Sequence, residues 1–134
     1  MATTVTSKHV SQVNESVVRR YTVDWTSASD GTYSEAINGG ETIAGEIVRV
    51  VFNPGATAPT ASYDIAITDA QGFDVLAGQG ANLSATDTTN VGPGVPVKDG
   101  TTTSVGPMIV CDVLTLSVTN AGASKTGTVV LYVR

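Results

Sequence analysis

Wherever an apolar period can be read in this chain, the period is two. In SVVRRYTVDWT, residues 16–26, Val17, Tyr21, Val23 and Trp25 share one side; Arg20, Thr22 and Asp24 share the other, and Arg19 is out of phase. In SYDIAITD, Tyr63, Ile65 and Ile67 alternate with Asp64, Ala66 and Thr68. The C-terminal TVVLYVR sets Val129, Leu131 and Val133 against Val130 and Tyr132. Successive side chains leave a strand on opposite faces, so this pattern predicts strands with one face on a core. Composition agrees: the 134 residues include 20 Val, 20 Thr and 6 Ile, but only 5 Leu. Branching at Cβ restricts χ1 in a helix and packs well on a pleated surface. No helical pattern extends beyond a turn, and no internal repeat is present.

Turn residues cut the chain into about seven or eight short strands. Asp30-Gly31 and Asn38-Gly39 are tight-turn pairs, and Pro54, Gly55 and Pro59 end a long strand. That strand places Val48, Val50 and Phe52 opposite Ile47, Arg49 and Val51, so both faces are apolar and a central position is expected. DAQG, with Asp69 first and Gly72 last, fits a type I turn; it predicts a hairpin over 62–77 in which FDVLAG returns. From 78 to 106 the period fades into Gly, Thr and Pro, which reads as a long surface loop with a short strand within VPVKDGTTT. PMIVCDVLTLSVTN reads as one long strand. Its apolar phase switches from Ile109, Cys111 and Val113 to Leu114, Leu116 and Val118, which predicts a β-bulge near 112–114 or burial on both sides. The expected fold is all-β: an N-terminal arm at 1–14, then one antiparallel β-sandwich over 15–134, of jelly-roll or immunoglobulin-like type.

Several function classes lack the residues they need. Net charge is −5, and Arg19-Arg20 is the single adjacent basic pair, so no nucleic-acid stripe is expected. MATTVTSKHV lacks the apolar region of a secretory signal, and no stretch approaches a membrane span. One Cys, Cys111, and one His, His9, cannot complete a zinc site or form an internal disulfide. Cys111 lies in an apolar run and reads as a small hydrophobe; His9, in a polar terminus, reads as solvated. Asp64, Asp69 and Asp74 stand close enough to raise a cation site, yet Asp69 is accounted for as a turn opener and Asp64 by the solvent phase of its strand. Asp74 has no such account. No cofactor, metal or enzymatic role is expected. Charged residues are only 14%, which suits a surface partly covered by other subunits.

A family likeness sharpens this. The Asp30-Gly31 turn after Trp25, GEIVRV at 45–50, PTASYDIAITD at 59–69 and GFDVLAGQGAN at 72–82 resemble small proteins encoded among the head and neck genes of tailed bacteriophages. The likeness covers residues 20–84, about half of the chain, and departs from the pattern at Phe73. It implies a β-sandwich virion protein, most naturally a capsid decoration (cement) protein made in the host bacterial cytoplasm. Its partners would be the major capsid protein or neighbouring virion subunits, and it would form a homo-oligomer, a trimer or dimer, without nucleic acid or membrane. A neck, tail or baseplate protein is the near alternative. A carbohydrate-binding adhesion module is another, requiring Trp25 or Tyr33 as an exposed platform. Contacts are expected from the arm through Val5, Val10 and Val13, and from the long loop through Asn90, Val91, Pro93 and Val95.

Overall fold

The computed structural model describes residues 4–11, 17–96 and 105–134. They form an all-β sandwich of ten strands in two antiparallel sheets. In chain order these are β1 (Thr4–Ser11), β2 (Val17–Thr26), β3 (Tyr33–Ala36), β4 (Ile43–Pro54), β5 (Asp64–Thr68), β6 (Thr89–Val91), β7 (Gly94–Pro96), β8 (Val105–Asp112), β9 (Thr115–Thr119) and β10 (Thr126–Val133). The large sheet runs β1-β2-β10-β4-β8-β7, with β6 also paired to β4; the small sheet runs β3-β9-β5. The described residues contain no α-helix. A 3₁₀ turn at Ile37–Gly40 carries the Asn38-Gly39 pair, both at positive φ.

The inward phase of β2, β5 and β10 follows the alternation of their sequences. Tyr21, Val23 and Trp25 meet Val129 and Leu131 on one sheet, facing Ile65 and Ile67 on the other in a single core. β4 is central, paired to β10 and then to β8 and β6 along its length. One extra residue, Val48, is accommodated where the β10 register slips between Arg49 and Ile47. Ile47, Val50 and Phe52 therefore all face the core, a phase that strict alternation from Ile47 does not give.

Four expectations need correcting. The long C-terminal strand is two strands in different sheets: β8 pairs with β4, β9 pairs with β3 and β5. The phase switch marks the crossing between layers at Val113-Leu114, where Leu114 is buried and its carbonyl accepts the Ile37 N–H. FDVLAG is not a returning strand. Beyond one bridge between Thr68 and Asp74, residues 74–80 wind through consecutive turns against the β5 edge. The long loop also holds structure, since β6 and β7 lie within it. Residues 4–11 of the expected arm form β1, paired residue by residue to β2.

Tyr63 packs beside Trp25, ring centroids 5.8 Å apart, and both are buried. Burial raises the Tyr63 phenol above its usual value of 10.0, because the folded interior disfavours the phenolate. The folded state thus favours the protonated ring. That contribution is complete below pH 10 and is lost as pH rises through the raised value. Urea unfolding at neutral and strongly alkaline pH should show a loss of stability in the wild type that is smaller in Tyr63→Phe.

Candidate interaction surface

The three clustered acids are bound up in local structure. Asp69 Oδ1 accepts the N–H groups of Gln71 at 2.9 Å and Phe73 at 3.0 Å, closing the DAQG turn. Asp74 does more than any other side chain in this region. Its Oδ1 accepts Ile67 N–H at 3.2 Å and Leu76 N–H at 3.0 Å, and its Oδ2 accepts Gly78 N–H at 3.0 Å. A short carboxylate that satisfies its own following backbone competes with a strand ladder, which is why 74–80 winds into turns. The same carboxylate caps a donor on the β5 edge. Asp64 ties the next stretch down, accepting Asn82 N–H at 2.8 Å and Asn120 Nδ2–H at 2.7 Å. Asp30 repeats the theme in the first turn. The Thr32 hydroxyl at 2.7 Å, with the Thr32 N–H, holds its carboxyl below the usual range. No cluster of three or more His, Cys, Asp or Glu side chains suited to a metal occurs among the described residues.

Trp25 is 1% exposed and Tyr33 is buried, so neither presents a face to a sugar. This removes the platform required by a carbohydrate-binding module. Cys111 is exposed rather than packed as a small hydrophobe. The reason is the phase of β8. Met108 and Val110 turn inward, and Ile109 and Cys111 turn out.

The outward side of β8 and the residue beyond it is almost wholly apolar. Val105 and Ile109 are 68% and 65% exposed, and Pro107, Cys111 and Val113 face solvent with them. Isolated exposed apolar residues are ordinary, whereas a contiguous run marks a contact surface. Cross-strand neighbours widen it: Ala44 lies opposite Cys111 and Glu46 opposite Ile109. Between β7, β8 and the turns at 69–77 the surface dips into a groove of about 520 Å³, lined by Phe73, Val75, Val95, Met108 and Ile109, with Asp69 and Asp74 at its wall. Phe73, the residue at which the family pattern breaks, is 71% exposed beside it.

The other flank of this face is cationic. Arg20, Tyr132 and Arg49 sit in register across β2, β10 and β4, with the Arg49 guanidinium 5.3 Å from the Tyr132 ring centroid. Arg134 pairs with Glu46 at 3.3 Å. Arg19, out of phase in the sequence, instead donates to the Ala44 carbonyl.

The contact residues expected from sequence fall in several environments. Val5 and Val10 occupy β1, opposite Val23 and Val18 of β2; Val13 lies outside the described residues. Asn90 is exposed and accepts a hydrogen bond from Arg49 Nε at 2.8 Å. Val91 is partly buried against the core, and Pro93 is buried. Val95 is partly exposed at the groove. The β8 face was missed because Met108-Ile109-Val110-Cys111 is apolar in both phases, and hydropathy alone does not say which phase faces out.

No helix among the described residues is long and apolar enough to cross a membrane. No family model matches the chain, and no curated protein matches it. A chain in a solved structure of infectious bursal disease virus Gx strain aligns with it over 93% of this chain and 36% of that one. Identity is 15% and the TM-score 0.27. At that score the likeness carries no argument about fold or role.

Proposed function

We propose that this chain is a structural protein of a tailed-phage virion, and that it decorates the capsid as a cement protein. The observation that carries the structural role is the exposed apolar face of β8 on a charge-poor sandwich. Such a face is stable in water only at a cost, and burying it against a neighbour removes that cost. The acids most suggestive of chemistry are engaged instead in holding loops. The virion assignment rests on the motif likeness at residues 25–82. In this role each copy would add apolar burial across a junction between capsid subunits. Many modest contacts on one shell would sum to resistance against internal pressure, because each bound copy holds its neighbours in place.

Quantitative mass spectrometry of purified particles, from a phage whose genome encodes the chain, tests the reading. The expected result is a copy number comparable to that of the major shell subunit. A far lower number, as of a ring, would move the protein to the neck, tail or baseplate. Its absence from particles would end the proposal.

A further inference from the structure

We propose that the outer face of the large sheet, centred on Ile109, is covered by a second copy of this chain in a two-fold dimer. The inference rests on the reading of β8 as a contact surface made above, and it names what covers that surface. An isologous contact requires a patch that complements itself under a two-fold rotation. This face has that organisation. Its centre is the apolar row Val105, Pro107, Ile109 and Cys111 on β8. On the β4 side lie Arg49 and, two strands further, Arg20. On the β7 side, around the groove, lie the carboxylates of Asp69 and Asp74.

A two-fold axis lying in the interface, parallel to β8 and passing just above Ile109, lays apolar row on apolar row. It also carries the cationic flank of each copy over the carboxylate flank of the other. Opposite charges then meet twice, at the rim of the contact, where they favour this register over others. Glu46 already pairs with Arg134, so among the described residues the cations this face offers to a partner are Arg20 and Arg49. A phosphate backbone fits the face less well. The acids beside Phe73 would repel it, and the apolar row offers it nothing. A dimer places Phe73 and Ile109 of both copies near one continuous apolar seam, with aromatic and aliphatic anchors at the centre and charge at the rim.

Sedimentation equilibrium of the purified full chain, into the high micromolar range, tests the inference. The wild type is expected to be a dimer. Ile109→Asp, at an exposed position, should weaken it by about 30-fold or more, the scale of a central interface residue. Its circular dichroism should be unchanged; Ile109→Thr serves as a second variant if the first does not fold. Arg20→Glu should weaken the dimer by several-fold, and added salt should shrink that effect. A monomer throughout, a trimer, an Ile109 variant as tight as wild type, or an Arg20→Glu variant with unchanged affinity would overturn the arrangement. A monomeric protein found in virions would end the dimer and leave the proposed function standing. A dimer absent from virions would do the reverse.

Discussion

Asp74→Ala is expected to lower the free energy of unfolding by about 3 kcal/mol, and to loosen residues 74–80 before the rest of the sandwich unfolds. Three backbone donors lose their acceptor together: Ile67 on the β5 edge, and Leu76 and Gly78 in the turns that follow. A hydrogen bond to a charged group contributes about 1.5–3 kcal/mol, but water reaches part of this region and recovers some of it. The total therefore falls short of three full bonds. Val75 and Leu76 are buried beneath these turns, so loosening them also exposes core. Asp74→Asn keeps the shape and one acceptor oxygen and should lose clearly less. Urea titrations give the global value. Hydrogen exchange at Ile67, Leu76 and Gly78 gives the local one. An alanine variant as stable as wild type would show that the turns hold without the carboxylate.

Gly127→Ala should destabilise by about 2–4 kcal/mol, despite adding a single methyl group. Gly127 is paired with Trp25 across β10 and β2. A Cβ there would lie 2.4 Å from Trp25 Cζ2 and 2.6 Å from Cε2. The indole occupies the space that a side chain would take. Trp25 has no free volume to retreat into, since it is buried against Tyr63. Either the ring leaves its rotamer or β10 moves off β2, and interiors packed at crystal density absorb neither cheaply. Gly92→Ala is the control, because the nearest atom to its added Cβ would be the Val48 carbonyl oxygen at 3.8 Å. Trp25 is the only tryptophan, so its fluorescence reports directly on this contact. Equal stabilities for the two variants would contradict the packing account.

The strands with one polar and one apolar face were legible because the sequence states their phase. Asp64 and Thr68 alternate with Ile65 and Ile67, and β5 can sit only one way. β8 carried no such statement. Its Ile109 and Cys111 are as apolar as its Met108 and Val110, and the choice was made by pairing to β4 and by the crossing at Leu114. The surface most suggestive of a partner was hidden for that reason. Asp69 was readable as a turn opener, since the N–H donors it accepts lie two and four residues ahead. Asp74 was only half readable. Leu76 and Gly78 are local, but Ile67 reaches it from across the turn. Gly80 belongs to the same class: a Cβ there would lie within 3 Å of the Ile65 carbonyl, a close approach that exists only once the turns lie on β5.

For the role proposed above, a structural subunit of a phage head, the decisive measurement is a cryo-EM map of the intact particle. The expected map holds density for the sandwich in many symmetry-related copies on the shell, with the exposed β8 face of each buried against another protein chain. Particles whose shell, neck and tail are fully assigned to other chains, with no density of this shape, would contradict it.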